Sequence, residues 1–287
     1  MAAPAPTVLF NAHCELGENP LWHAQDGCLY WTDIMGGKVH RLALATGRHE
    51  VIYTDGLVGG FTFQANGDLL LFRAGDIAAL KPDGWVEVVQ RFKDEGTERF
   101  NDVIADPEGR VLAGTIGTTP QSGGLYRVDL DGTITLLHRG TGCSNGMGFA
   151  PGLRMFYWTC STTRRIYAFD YDRASGALAN ERVLYQATAD EGIPDGLTVD
   201  ISGDLWSARW DGHALVHHAT DGRVLEKIPF PVAKVSSVCF GGPGLDQLFI
   251  TTAGGTAGST SLDGAVFQLP VGRRGTPEFQ SRIRLGS

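Results

Sequence analysis

The stretch Asp26–Asp33, DGCLYWTD, places a turn dipeptide directly before a short apolar and aromatic run. Asp-Gly favours a tight hairpin turn, and the run that follows is typical of a β-strand. Comparable strands recur along the chain, and we mark them by Leu29, Leu69, Val111, Phe156, Leu205 and Leu248. Successive markers lie 40, 42, 45, 49 and 43 residues apart. This spacing indicates six repeats, each with three or four short strands.

Six such repeats predict an all-β, six-bladed β-propeller that forms a single domain over residues 1–287. A two-domain β-sandwich is the simpler alternative, but it does not require six evenly spaced markers. No stretch carries the period and caps of an amphipathic helix. We expect Thr7–Phe10, TVLF, to pair with the last blade and close the ring.

Composition narrows the function classes. The chain has 287 residues, a net charge of −8, 39 glycines and no apolar run near the ~20 residues that span a bilayer. The negative charge argues against binding to a nucleic-acid backbone, so we expect neither nucleic acid nor membrane as a partner. Five scattered cysteines and no visible signal segment predict free thiols and a cytoplasmic location. The oligomeric state is open.

Polar residues interrupt the strand pattern at similar positions in four repeats. Glu18, the Arg99–Asn101 segment, Asn145 and Asp195 each precede a blade marker by about the same number of residues. Equal positions in different blades converge on the propeller axis, so Glu18, Asn145 and Asp195 predict an axial site for a divalent metal ion with oxygen ligands. Turns are the alternative for Asn145-Gly146 and Asp195-Gly196, because both dipeptides favour turns.

At these residues the chain resembles the gluconolactonase/regucalcin (senescence marker protein) family of propeller lactonases. The resemblance extends from LGENPLW at residues 16–22 through RFNDV, SNGMGF and PDGLTVD to CFGGPGLDQLFITTA. It implies that Glu18, Asn145 and Asp195 hold the metal, with Ca²⁺ expected first and Zn²⁺, Mn²⁺, Mg²⁺ or Fe²⁺ as alternatives. It further implies that Asp195 is the general base and that Arg99 and Asn101 contact the substrate.

Two segments depart from the pattern of this family. Some members carry a substrate-contacting Glu soon after the Gly-Thr of the third blade, where this chain reads Gly114–Thr119, GTIGTT. Where the family often reads AHWGG, this chain has Ala208–Gly212, ARWDG. We expect Arg209 and Asp211 to form a surface ion pair, the alternative being a pocket cation for an anionic substrate.

The expected function is hydrolysis of a sugar-acid (aldono-) lactone to the open-chain aldonic acid. The metal would polarise the lactone carbonyl, and Asp195 would act on the attacking water. Two other functions stay open: a metal-binding regulatory or binding module without turnover, and an aryl-esterase-like hydrolase. The phrase Tyr30–Asp33, YWTD, also occurs in receptor propellers, which are binding modules, although its simpler interpretation is strand packing.

Overall fold

Short antiparallel strands make up nearly all the regular structure. The computed structural model describes residues 5–256 and 258–284, and in that part of the chain 24 strands accompany one 3₁₀ turn at Ala189–Glu191. Within the same residues, no helix has the length and apolar character needed to cross a membrane. The strands form six four-stranded sheets, which confirms the prediction of a six-bladed β-propeller.

Blades 1 to 3 each use four consecutive strands, and the first strand of each set lies innermost. Blade 1 contains β2 (Gly17–His23), β3 (Cys28–Asp33), β4 (Lys38–Ala43) and β5 (Arg48–Tyr53). Blade 2 contains β6 (Val58–Phe63), β7 (Leu69–Arg73), β8 (Asp76–Leu80) and β9 (Val86–Arg91). Blade 3 contains β10 (Thr97–Ala105), β11 (Val111–Gly117), β12 (Gly123–Val128) and β13 (Ile134–Thr141).

Blades 4 and 5 repeat this order, and blade 6 borrows a strand from the start of the chain. Blade 4 contains β14 (Ser144–Phe149), β15 (Met155–Cys160), β16 (Arg165–Asp172) and β17 (Ala177–Gln186). Blade 5 contains β18 (Ile193–Val199), β19 (Leu205–Trp210), β20 (Ala214–His218) and β21 (Val224–Pro229). Blade 6 contains β22 (Val235–Gly241), β23 (Gln247–Thr252), β24 (Val266–Pro270) and β1 (Thr7–Phe10). Every marker residue lies in the second strand of its blade.

The ring closes as expected from the N-terminal TVLF run. Strand β1 pairs antiparallel with β24, with Thr7 opposite Gln268 and Val8 opposite Phe267. The innermost strands of neighbouring blades contact one another around the whole ring, including β2 with β22. Apolar side chains of adjacent blades fill the spaces between the sheets, as Phe72 of blade 2 and Phe100 of blade 3 do. The innermost strands therefore line the axis.

A bulge interrupts four innermost strands at the polar positions. In blades 3, 4 and 5, two residues of the inner strand face one residue of its neighbour, and these pairs are Asn101-Asp102, Asn145-Gly146 and Asp195-Gly196. In blade 1, the bulge follows directly after Glu18. Because a bulge re-aims side chains out of the strand alternation, it explains how polar groups at these positions can turn toward the axis.

The turn interpretation of Asn145-Gly146 and Asp195-Gly196 is wrong, because both dipeptides lie inside strands. Neither glycine has a positive φ. A Cβ on Gly146 would lie 2.2 Å from the backbone nitrogen of Leu197, and one on Gly196 would lie 2.2 Å from Ser237 Oγ. These glycines are therefore required by the close approach of the next blade's inner strand rather than by a turn.

Candidate functional site

A cavity of about 310 Å³ opens between the innermost strands of four blades. All five residues singled out in the sequence line it, and they come from blades 1, 3, 4 and 5. The lining comprises Leu16, Glu18, Arg99, Asn101, Ile116, Cys143, Asn145, Ser161, Thr162, Ile193, Asp195 and Trp210. Their distant sequence positions meet because equivalent positions in the blades face one axis.

A chain of hydrogen bonds connects the polar side chains along one wall. Arg99 Nη1 donates to Asn101 Oδ1 at 2.7 Å, and Asn101 Nδ2 donates to Asn145 Oδ1 at 2.8 Å. Asn145 Nδ2 in turn donates to Ser161 Oγ at 2.8 Å. The chain fixes the amide orientation of Asn145, so that its oxygen and not its nitrogen faces the Asn101 side.

Three buried carboxyl groups lie around the axis with few partners. Glu18, Asp102 and Asp195 are 3%, 6% and 4% exposed, and each has one buried oxygen without a hydrogen-bond partner among the described residues. Burial raises the pKa of Glu18 well above its usual range, and the carboxyls of Asp195 and Asp102 raise it further. Burial and the neighbouring Asp102 raise the pKa of Asp195 in the same way. The site therefore carries more buried acid than the protein itself neutralises.

This arrangement fits a divalent cation. Glu18 Oε2 and Asp195 Oδ1 are free acceptors, and Asn145 Oδ1 holds a second lone pair beyond its bond from Asn101. An all-oxygen donor set suits a hard ion such as Ca²⁺. A cation in reach of these oxygens would offset the cost of burying the carboxylates. The donor chemistry thus agrees with the metal role that the family resemblance implies for these three residues.

A second cavity, of about 370 Å³, shares no lining residue with the first. Its walls are mostly apolar, and Glu278 and Cys239 join Asp102 in lining it. Burial raises the pKa of Glu278 to about 7. Of the five predicted site residues, none lines this second cavity, so the chemistry suggested by the sequence belongs to the smaller one.

The expected surface ion pair between Arg209 and Asp211 is wrong. Arg209 is fully buried, and its guanidinium contacts Ser207 Oγ, His218 Nε2 at 2.8 Å and the ring of Tyr185. Burial lowers the pKa of Arg209 to about 10. Asp211 is instead exposed, in a left-handed conformation with φ of 54°. The guanidinium packs between blades 4 and 5, since Tyr185 belongs to β17 of blade 4 and His218 to β20 of blade 5.

Neither Arg209 nor Asp211 lines the 310 Å³ cavity, whereas Trp210 between them does. Ile116 also lines it, in the segment where some family members carry Glu. Ile116 and Trp210 lie in the two segments that depart from the family pattern, but neither they nor Ser161 were predicted to line the site. Ile116 lies opposite Arg99, and Trp210 opposite Ile193, so the ends of the second strands share the rim with the starts of the first. The sequence signal that could have identified Ile116 and Trp210 is their position at the end of a marker strand.

Similarity to known proteins agrees with this geometry. Residues 16–254 match the family described as SMP-30/Gluconolactonase/LRE-like region. The chain belongs to this family. Among family relatives, pentonolactonase XacC from Haloferax volcanii is 40% identical over 98% of this chain and 99% of its own length. Regucalcin from Gallus gallus is 30% identical over 92% of this chain and 94% of its own length.

Solved structures show the same fold. A calcium-binding regucalcin from Agrobacterium tumefaciens superposes with a TM-score of 0.89 at 24% identity, over 99% of this chain and all of that one. The family match of residues 16–254 includes the four inner strands that are bulged at the polar positions, whereas β1 and β24 lie outside it. Family membership therefore concerns the part of the ring that carries the candidate site.

Proposed function

We propose that this chain is a metal-dependent sugar lactonase that opens an aldonolactone to the aldonic acid. Family membership and the 40% identity with a pentonolactonase, over nearly the whole of both chains, support the enzyme class. The observation that carries the proposal is the set of buried, unpartnered carboxyl oxygens of Glu18 and Asp195 in an axial cavity. Such a set is costly to bury unless it binds a cation and a substrate.

The cavity supports a small substrate. Its volume of about 310 Å³ lies near the lower end of the ~300–1,000 Å³ range of ligand pockets. Ile116, Leu16, Ile193 and Trp210 give it an apolar rim, while Arg99, Ser161 and Thr162 supply polar groups. Ile116 is apolar and lies near the position where relatives carry a further polar contact to the substrate. We therefore favour a five-carbon lactone, which has one hydroxymethyl group fewer to bind, over a six-carbon lactone.

In the proposed mechanism, Glu18, Asn145 and Asp195 would hold the divalent cation, Ca²⁺ in first place, which supplies Lewis-acid polarisation of the lactone carbonyl. The Asp195 carboxylate would also take the proton of the attacking water. Arg99 would bind hydroxyl oxygens of the lactone through the guanidinium N–H groups that its bonds to Phe100 and Asn101 leave free. Asn101 would hold the Asn145 amide in its ligating orientation.

The proposed location is the cytoplasm. All five cysteines, Cys14, Cys28, Cys143, Cys160 and Cys239, are free, and four of them are buried. Free thiols in this number are typical of a reducing compartment.

The decisive experiment measures lactone hydrolysis by a pH indicator with metal-stripped protein. Ca²⁺, Mg²⁺, Mn²⁺, Zn²⁺ or Fe²⁺ is returned singly, and the substrates are xylono-, arabinono-, glucono- and galactonolactone plus an aryl ester. We expect metal-restored turnover with a pentonolactone, and its loss in Asp195→Asn. The control Glu278→Gln removes a partly buried carboxyl that does not line the 310 Å³ cavity, and it should keep its activity.

Three results would contradict the proposal. Metal binding without turnover of any lactone would favour a regulatory or binding module. Turnover of the aryl ester alone would favour an esterase. Equal activity of the stripped and reloaded protein would exclude the metal-dependent mechanism.

A further inference from the structure

A second group of potential ligands lies away from the axial cavity, in the seam between blade 1 and blade 6. The ligand atoms of Cys14, Asp33 and His40 all lie within 4.8 Å of one another, and the three side chains are 0%, 5% and 4% exposed. Cys14 is tied to blade 6 by its backbone, because its N–H donates to Gly264 O at 3.0 Å. Asp33 and His40 belong to strands β3 and β4 of blade 1.

The His40 imidazole has a free nitrogen in this group. Its Nδ1 lies 2.9 Å from Nε2 of His49, and its Nε2 is buried without any hydrogen-bond partner among the described residues. When Nδ1–H donates to His49, the lone pair of His40 Nε2 is left over. A histidine that ligates a metal is held in this way, with its second nitrogen donating to a neighbouring acceptor. Trp31 stacks on the ring with an interplanar angle of 3° and fixes its plane.

A polar group beside the Cys14 thiol also lacks a hydrogen-bond partner. Burial and then the Asp33 carboxylate raise the pKa of Cys14 to about 12, whereas the Trp31 indole N–H beside the sulfur lowers it. That N–H has no acceptor at hydrogen-bond distance in the described structure. A thiolate at this position would be an acceptor for it. Two buried polar groups without a hydrogen-bond partner therefore lie near Cys14. His40 Nε2 lacks a donor, and the Trp31 indole N–H lacks an acceptor.

We propose that Cys14, Asp33 and His40 form a structural binding site for Zn²⁺ or a similar borderline-soft divalent ion. Sulfur, imidazole nitrogen and carboxylate oxygen are the ligands that Zn²⁺ takes in proteins, and one position is left for water.

Asp33 Oδ1 accepts the backbone N–H groups of Leu16 and Gly36, whereas Oδ2 accepts only that of Glu15 and keeps a lone pair for the ion. The Cys14 thiolate and this carboxylate together balance the charge of the ion, and binding releases the thiol proton to solvent. The ion would join blade 1 to the segment that blade 6 holds.

A third group, formed by Asp200, Asp204 and His217, does not support a comparable proposal. Asp200 accepts the backbone N–H groups of Ser202 and Asp204, and His217 Nε2 lies 3.2 Å from Asp204. In contrast to His40 Nε2, no buried ligand atom of these three side chains lacks a hydrogen-bond partner among the described residues, so none points to an ion.

Cobalt(II) binding tests the seam site without reference to lactone turnover. Folded wild-type protein titrated with Co²⁺ should show the near-ultraviolet thiolate-to-cobalt charge-transfer band. His40→Gln and Cys14→Ser should lose it, and His49→Gln should weaken binding about 10- to 100-fold. Glu18→Gln, which alters the axial site, should keep the band. Cys239→Ser is the matched control, since Cys239 is an equally buried thiol of the same apolar cluster.

Circular dichroism establishes that each variant is folded, and His40→Gln provides the test if Cys14→Ser fails to fold. Zn²⁺ should also raise the melting temperature of Glu18→Gln protein, but not that of the double variant Glu18→Gln/His40→Gln, in which both sites are altered. Absence of the band in folded wild-type protein would overturn the proposal. Its persistence in folded His40→Gln would overturn it as well, because His40 would then not be a ligand.

Discussion

Asn101 uses its amide group to hold other residues in place. Its oxygen accepts from Arg99, and its nitrogen donates to Asn145 Oδ1 and to Ser144 O, both at 2.8 Å. Both amide hydrogens are thereby engaged, which leaves one oxygen lone pair for a substrate. The family resemblance implies that Asn101 contacts substrate, whereas these bonds favour a positioning role toward Asn145.

Asn101→Ala should therefore weaken metal affinity by about 10- to 100-fold, as loss of an orienting partner does at other metal sites, and kcat/KM should fall with it. Metal titration and steady-state kinetics at saturating metal measure the two effects. Asn66→Ala, an exposed turn residue, is the control. A raised KM with unchanged metal affinity would instead show that Asn101 acts as a substrate contact.

His218 makes stability depend on pH through burial beside a cation. Burial and then Arg209 lower the pKa of His218 from 6.5 to about 4. Between these values the unfolded chain binds the proton more tightly, so acid favours unfolding. The stabilisation is fully present above about pH 6.5 and is lost as pH falls to about 4. The shift corresponds to roughly 3 kcal/mol at most.

His218→Gln keeps an acceptor for Arg209 but cannot be protonated. We expect the variant to be less stable than wild type at pH 7 and to lose less stability between pH 6.5 and 4. Urea unfolding of both proteins at several pH values gives this difference. Parallel pH profiles for the two proteins would show that His218 is not the responsible group.

At the scale of the element, the inner strands of neighbouring blades can pack closely because glycine occupies the bulges. Gly146→Ala places a Cβ 2.2 Å from Leu197 N, and the strands β14 and β18 must then separate. We expect a loss of roughly 1–3 kcal/mol in the free energy of unfolding, with weaker metal binding because Asn145 and Asp195 flank the contact.

Gly152→Ala is the matched control, since a Cβ there meets nothing within 4 Å and its φ is not positive. Chemical denaturation of both variants makes the comparison. Equal stability of the two would mean that the inner strands relax freely, and that the bulges do not fix the spacing of the blades.

At the scale of the whole molecule, strand β1 joins the two ends of the ring. Leu9 and Phe10 pack against the apolar cluster that contains Trp31 and Phe249. Deleting residues 1–10 should therefore cost about 2–5 kcal/mol and expose the edge of β24 to other chains. Thermal melting and size-exclusion chromatography measure this, with deletion of residues 1–5 as the control. A fully stable monomer lacking β1 would contradict this account of closure.

Periodicity was sufficient to predict the ring and the five residues that meet in the cavity, and the apolar run at Thr7–Phe10 predicted the closing strand. Repeats of 40 to 49 residues give the number and order of the blades. Equivalent positions in the blades then meet because they face one axis. The bulges were not predictable, since Asn-Gly and Asp-Gly carry the same local signal in a turn as in a bulged strand. The burial of Arg209 was missed because it depends on Tyr185 and His218, which are distant in sequence or invisible to charge patterning.

The pairing of β1 with β24 also sets the order of events during protein synthesis. Strand β1 must wait for its partner β24, which begins to be translated only at Val266. At typical elongation rates this delay is on the order of ten seconds or more. Blades 1 to 5 can form as they are translated, but the ring cannot be completed until blade 6 has left the ribosome. The ring therefore closes only after the residues of β24 have been synthesised.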